Sequence, residues 1–329
     1  MPKVIYPWLQ SHWQELVKQH NQKRLPHAMI FAAPEGLGVL QLVSQLSQLL
    51  LCKNPVENSP CGQCTSCELL KAGSHPDLHS LTVEDKKTVI TVDQVRDLIA
   101  TLSETAHQSG YRIAVIQPAH LMNKASANAL LKTLEEPGSD TLLILITERV
   151  SALPATVRSR CLIVNISAPS EEVALDFVQE NYPDNTKTDL VAVRMAQNRP
   201  LQALEILKSG TMQERQDFFA YLQGLSNKRL EPTSLYNRFN DKNKLLVFCD
   251  WMLGLVSDCE KYQAGIEMSK LQNSDQHLLI EALDHITIEQ RFQWHKSLLE
   301  TKRVLLSSSN INPKLLLDDM LLNWIAFFR

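Results

Sequence analysis

The sequence lacks several features that would place it in a broad class at once. No apolar run approaches the ~20 residues needed to cross a bilayer, and no internal repeat or low-complexity segment is present. The opening residues MPKVIYPW do not have the charged-then-apolar layout of a secretory signal. We therefore expect a cytoplasmic globular protein with no membrane association.

An excess of positive charge is also absent. Lys and Arg number 33 against 36 Asp and Glu, for a net charge of -3. This balance argues against general electrostatic capture of nucleic acid, although a local basic face is compatible with it. The 329 residues are enough for two or three domains of ordinary size.

Cysteines are few but unevenly distributed. Four of the seven follow the spacing C-x8-C-x2-C-x2-C, at Cys52, Cys61, Cys64 and Cys67. In a cytosolic chain such clustering favours a metal over disulfides. Four thiolates with two short gaps suit a closed tetrahedral zinc site, which has no open position and is therefore structural. An iron–sulfur site and unligated thiols are the alternatives.

Short apolar runs alternate with helical patterns in the first half of the chain. This alternation predicts a mostly parallel sheet covered by helices on both faces. The predicted strands are Ala28–Phe31, Leu78–Val83, Arg112–Ile116, Leu142–Thr147 and Leu162–Ile166, and the predicted helices are Leu40–Leu51, Val92–Leu102 and Lys124–Glu136.

The pattern becomes wholly helical after residue 168. Ser170 followed by two glutamates is typical of a helix start, and Asn312-Pro313 opens the last predicted helix. A break at 208–210 predicts two helical units. The expected domains are therefore 1–167, 168–209 and 210–329.

The segment APEGLGVL at 33–40 has the position of a phosphate-binding loop without its chemistry. The functional pattern is G-x-x-x-x-G-K-[ST]. Gly36 and Gly38 keep the turn, but Val39 replaces the lysine and Leu40 replaces the hydroxyl that holds Mg²⁺. We expect no tight Mg-ATP binding, and at most weak anion binding by backbone N–H groups. Taken alone, the loop fits an ordinary two-glycine turn equally well.

The second half of such a nucleotide site is missing as well. A nucleotide-binding chain carries an acidic pair after a later strand, with the Asp on the metal. After the strand 112–116 this sequence reads QPAH at 117–120, without a carboxylate. The two losses independently indicate that the chain does not hydrolyse ATP.

The segment ASANALLKTLEEP at 125–137 is similar to a signature of the clamp-loader subunits of the AAA+ family, and Ser159, Arg160 and Cys161 form the Ser-Arg-Cys motif typical of that family. The zinc module also lies where bacterial clamp-loader subunits place theirs. The resemblance spans roughly residues 27–161. It implies a P-loop-type α/β AAA+ core with a zinc module at 52–67, then a small helical lid and an all-α collar domain for oligomerisation.

Within that family this chain resembles a subunit that has lost its own ATP site. Leu201 stands where the lid helix of an ATP-binding subunit carries an arginine, although a shifted register would bring Arg199 there. Thr147 matches the polar sensor after the fourth strand. The resemblance implies that Arg160 acts as an arginine finger in trans on a neighbour's ATP, with Ser159 and Cys161 beside it. Without the resemblance, Arg160 would be interpreted as a surface salt-bridge residue.

The family also implies partners. These are ATPase subunits of the gamma/tau type, a delta-type subunit, and, through the assembly, the sliding clamp and primed DNA of the replicative polymerase holoenzyme. We therefore expect a non-ATP-binding assembly subunit with structural Zn²⁺. The alternatives are an active ATPase with an unorthodox loop and a zinc-dependent nucleic-acid-binding module. The acidic balance, and the absence of interleaved aromatic and basic residues around the cysteines, disfavour the latter.

Overall fold

The computed structural model describes residues 5–84, 87–103, 110–183, 186–227, 229, 241–307 and 312–328. The chain divides into two compact units. The first comprises Met1–Ala174 and Arg199–Gln202, and the second comprises Leu175–Asn198 and Ala203–Arg329. The finer boundaries at 167 and 209 remain a prediction.

A five-stranded sheet forms the centre of the first unit. All its pairings are parallel, in the order β2-β3-β4-β1-β5. The strands are β1 (Ala28–Ala32), β2 (Leu78–Leu81), β3 (Arg112–Ile116), β4 (Thr141–Thr147) and β5 (Leu162–Asn165). The predicted parallel α/β sheet is confirmed.

Helices cover both faces of this sheet. In β1, Met29 and Phe31 belong to one buried apolar cluster, whereas Ala28 and Ile30 belong to another. Because neighbouring side chains of a strand point to opposite faces, a strand buried on both sides is a continuous apolar run. The helices from the start of the chain to β5 are α1 (Gln10–Asn21), α2 (Val39–Leu51), α3 (Thr65–Lys71), α4 (Val92–Ser103), α5 (Lys124–Ala129), α6 (Leu131–Glu135) and α7 (Ala155–Arg158).

The predicted single helix over 124–136 is two short helices, α5 and α6, which meet at Leu130. The N–H of Leu130 donates to the carbonyl of Ala127 at 3.3 Å, three residues back. Such a three-residue step tightens the backbone relative to an α-helix. Periodicity alone did not reveal it, because the apolar spacing continues through the junction.

Only helices follow the sheet among the described residues. They are α8 (Glu171–Asn181), α9 (Thr186–Met195), α10 (Pro200–Lys208), α11 (Thr211–Ser226), α12 (Lys242–Gln263), α13 (His277–Ala282), α14 (Ile288–Ser307) and α15 (Pro313–Ala326). In the second unit, Trp324 is fully buried and its indole N–H donates to the Leu222 carbonyl at 3.1 Å, which attaches α15 to α11. Within the part of the chain that the structure describes, no helix is both long and apolar enough to span a bilayer.

Candidate functional site: a self-filled phosphate loop, an exposed arginine and a cysteine cluster

The phosphate-type loop connects β1 to α2 at the carboxyl edge of the sheet, where ligands bind in open α/β folds. Gly36 has φ +84° and Gly38 has φ +74°, a left-handed conformation that strongly favours glycine. Val39 is buried, and Leu40 exposes 53% of its surface. The loop therefore keeps the turn geometry, but it presents an apolar side chain where a phosphate site needs a cation and a hydroxyl.

Aromatic side chains from the start of the chain pack directly on this loop. The indole N–H of Trp8 donates to the Leu37 carbonyl at 2.9 Å, and the Tyr6 ring stacks on Trp8 with ring centroids 4.9 Å apart. A Cβ added to Gly38 would lie 2.3 Å from Cε2 of Tyr6. Gly38 is therefore required by close contact with an aromatic ring of the same chain, as well as by its backbone conformation.

The other side of the loop is also in contact with protein. The Leu201 N–H donates to the Gly36 carbonyl at 3.2 Å, and Arg199 Nη1 donates to the Glu35 carbonyl at 3.5 Å. A Cβ at Gly36 would lie 2.8 Å from that of Gln202. The segment expected to carry the lid arginine thus touches the loop with the Leu201 backbone, and Arg199 contacts the loop carbonyl.

A carboxylate of the same chain accepts a hydrogen bond from one of the loop amides. The N–H of Glu35 donates to Oε1 of Glu148 at 2.8 Å. In a working phosphate loop such N–H groups point at phosphate oxygens. Glu148 therefore places its own negative charge where a phosphate would bring another, and the two would repel each other.

The segment after β3, where an acidic pair would lie, contains a histidine and no carboxylate. Nδ1 of His120 lies 3.1 Å from Oγ1 of Thr147, and the N–H of Arg149 donates to the same oxygen at 3.1 Å. Burial, together with the charge of Arg149, lowers the pKa of His120. The Thr147 hydroxyl can either donate to Nδ1 of a neutral ring or accept from it, depending on the ring tautomer. The hydroxyl expected to sense a phosphate is therefore already paired within the chain.

Arg160 follows α7 in an accessible turn. Its Nη1 donates to the Thr156 carbonyl at 2.9 Å and to Oγ of Ser159 at 3.3 Å. Its Nη2 lies 2.6 Å from Oε1 of Glu135, and the Arg160 side chain is 35% exposed. Cys161 is half-buried against the core, and burial raises the pKa of its thiol to about 11. Among the Ser-Arg-Cys residues, Arg160 is the one that brings charge to the surface.

The four cysteines of the 52–67 segment come together as the spacing predicts. Their sulfurs all lie within 4.8 Å of one another. Zn–S bonds of about 2.3 Å would place tetrahedral sulfurs about 3.8 Å apart, so the arrangement is compatible with a zinc site after a small contraction. Backbone donors lower the pKa of Cys64 to about 6 despite opposing burial, whereas burial raises the pKa of Cys67 to about 12. A bound zinc ion would hold all four as thiolates.

Local structure explains how the cysteines converge. Cys52 caps α2, Cys64 precedes α3, and Cys67 lies in its first turn. Between them, the backbones of Val56 and Ser59 exchange hydrogen bonds of 2.9 and 2.8 Å around two residues of positive φ. Such a two-residue turn reverses the chain tightly and allows it to return from Cys52 to the other three.

A buried polar chain joins the two helices that carry these ligands. The Asp77 N–H donates to Nδ1 of His75 at 3.1 Å, and Nε2 of His75 lies 2.8 Å from Oγ of Ser66. The Ser66 hydroxyl in turn donates to the Leu51 carbonyl at 2.6 Å. These hydrogen bonds fix α3 against the end of α2. They therefore help to keep the four cysteines together.

Several of these functional contacts were absent from the sequence-based prediction. Tyr6, Trp8 and Glu148 were not assigned to the loop, and Glu135 was not paired with Arg160. The only available sequence signal was the substitution of Val39 for lysine, because a loop without a cation has no need of an open anion site. That signal does not identify the side chains that close it.

Two protein-family models match the chain. One, described as DNA polymerase III, delta subunit, covers residues 8–170, and the other, its C-terminal part, covers 209–326. The DNA polymerase III subunit delta-prime of Haemophilus influenzae is 35% identical over 96% of this chain and 95% of its own length. That of Pseudomonas aeruginosa is 31% identical over 98% of both. A solved structure, a gamma subunit-related protein of DNA polymerase III from Thermotoga maritima, covers 98% of this chain and 100% of its own at 19% identity and a TM-score of 0.47.

Proposed function

This chain belongs to the DNA polymerase III delta-prime family, and we propose that it is a clamp-loader subunit that binds no ATP and completes the ATP site of a neighbour with Arg160. Family membership supports the clamp-loader role. The observation that carries the finer proposal is the loop filled by Tyr6 and Glu148, because it leaves Arg160 without a phosphate to act on in its own subunit.

The lack of ATP binding follows from three independent deficits. Val39 and Leu40 supply neither charge nor a metal ligand. Glu148 already accepts from a backbone N–H that a phosphate would need. Tyr6 lies against Gly38, where the phosphates would approach. Restoring any one group would leave the other two in place. The alternative of an active ATPase with a borrowed lysine therefore has little support.

Titrating the isolated chain with Mg-ATP is expected to give no binding up to about millimolar, where the binding free energy is only about -4 kcal/mol. The same titration without Mg²⁺ is the control, because weak capture of an anion by backbone N–H groups does not depend on the metal. Micromolar, Mg²⁺-dependent binding would contradict the proposal and favour the alternative, an active ATPase.

Arg160 is the group that the chain can offer to a partner. A guanidinium is always charged and presents its donors as a planar fork that matches phosphate oxygens. Placed against the γ-phosphate of a neighbouring ATPase subunit, it would stabilise the charge that spreads over the transferring phosphoryl group. We propose gamma/tau-type ATPase subunits and a delta-type subunit as direct partners in the cytoplasm, with the sliding clamp and primed DNA reached through the assembly.

An exposed apolar stripe on α14 supports membership of such an assembly. Ile288, Phe292, Leu299 and Leu306 are 79%, 60%, 52% and 65% exposed. Their spacing of four, seven and seven residues keeps them on one helical face. An aligned set of large exposed side chains is typical of an interaction surface. We propose that this stripe packs against a partner in the collar.

Replacing Phe292 with aspartate is expected to weaken assembly with the partner subunits by at least about 30-fold in Kd, because an aromatic hot spot at the centre of an interface contributes about 2 kcal/mol or more and each 1.4 kcal/mol is tenfold. Sedimentation of mixtures of purified subunits measures the change. Gln293→Asp is the matched control, since it adds the same charge at the neighbouring exposed position of α14. Equal assembly of both variants with the wild type would exclude the stripe as the contact surface.

A further inference from the structure

Arg160 is held by three contacts that come from two different elements. Thr156 lies in α7 and Ser159 in the turn after it, which also contains Arg160, whereas Glu135 ends α6. Both terminal nitrogens of the guanidinium are engaged, Nη1 twice and Nη2 once. The plane of the side chain is therefore defined before any partner arrives.

The Glu135 contact contributes little to folding. Its side chain is 52% exposed and that of Arg160 is 35% exposed, and an ion pair of this kind stabilises a protein by about 0–1 kcal/mol. An arginine side chain, in contrast, carries about 2 kcal/mol of rotamer entropy. The principal effect of the pair is thus to restrict where the guanidinium points.

We infer that Glu135 is a positioning residue for Arg160, orienting the guanidinium so that it reaches the neighbour's γ-phosphate already ordered. The inference rests on the proposed role of Arg160 as a finger in trans. A finger ordered in advance contributes its full charge in the transition state without the entropy cost of being ordered there.

The donor count distinguishes this role from that of a latch. Arginine has five N–H donors, and the contacts to Thr156, Ser159 and Glu135 use three. With respect to the residues that the structure describes, two donors remain, as many as a bidentate phosphate contact needs. Glu135 can therefore stay bonded to Arg160 while a phosphate binds. A carboxylate that used the phosphate-binding donors would instead have to be displaced.

The test uses the complete clamp-loader complex assembled with this 329-residue chain, comparing Glu135→Ala, Glu135→Gln and the adjacent Glu136→Ala. The readout is the part of ATP turnover that Arg160→Ala removes. We expect Glu135→Ala to lower kcat of that part roughly 10- to 100-fold at unchanged KM, since a displacement of about 1 Å in a positioned group can cost 10²-fold. The amide of Glu135→Gln still accepts from Nη2 and should restore most of the rate.

Glu136→Ala should match the wild type, and thermal melting of each isolated chain should give the same midpoint, which separates positioning from folding. Unchanged turnover in the Glu135→Ala complex, where Arg160→Ala is impaired, would overturn the inference and leave the finger intact. Faster turnover would also overturn it, because it would mean that Glu135 competes with the phosphate. If Arg160→Ala itself has no effect, the proposed function and this inference both fail.

Discussion

Arg160→Ala is expected to eliminate phosphate release at one ATP site of the assembled clamp loader while this chain stays folded and assembled. Arginine fingers of GTPases are worth roughly 10³–10⁵ in rate. Within the described part of the chain, its polar contacts are the surface ones to Thr156, Ser159 and Glu135, so its loss should cost little stability. Pre-steady-state phosphate release measures the effect, as the burst amplitude should fall by the share of one site.

Two further variants sharpen this experiment. Arg160→Lys keeps the charge but not the planar fork, and we expect it to remain strongly impaired. Arg24→Ala removes another exposed arginine of the same unit and serves as the control for loss of positive charge. A full burst from the Arg160→Ala complex would show that another group completes the neighbour's site.

Removing the metal from the cysteine cluster is expected to lower the thermal midpoint of the first unit by about 10 °C. A ligand present at 1,000 times its Kd stabilises the folded state by about 4.1 kcal/mol. For a domain of 150–250 residues, each kcal/mol corresponds to about 2–4 °C. The cluster joins the end of α2 to α3, so a zinc ion bound there would link the two helices, and its removal would leave them connected only by the chain and its hydrogen bonds.

Calorimetry with and without a zinc chelator measures this shift, together with metal content. Cys64→Ser provides the control, because a three-ligand chain should start from the lower midpoint and respond little to the chelator. Iron in the purified protein, with visible absorption, would indicate an iron–sulfur site instead. An unchanged midpoint after complete metal removal would contradict a structural role.

Much of the fold could be predicted because its signals are local. The strands β1, β3 and β4 are short, largely apolar runs, such as the RIAVI of β3, which is buried throughout, and the alternation with helices fixes parallel pairing. The cysteine cluster was similarly predictable, since two x2 gaps place three cysteines within one short stretch of chain. The absence of a lysine at 39, of a hydroxyl at 40 and of a carboxylate at 117–120 could likewise be identified from the residue types alone.

The sequence by itself thus determined the parallel α/β unit, the helical remainder, the clustering of four cysteines and the residue types of the 33–40 loop. Only the tertiary structure decided what fills the loop and what holds the arginine. Glu148 pairs with an amide 113 residues away, and Glu135 meets Arg160 across two helices. Such contacts depend on strand order and on the geometry of the connections, and they leave no periodic trace along the chain, because a side chain's partner is chosen by proximity in space rather than by spacing in sequence.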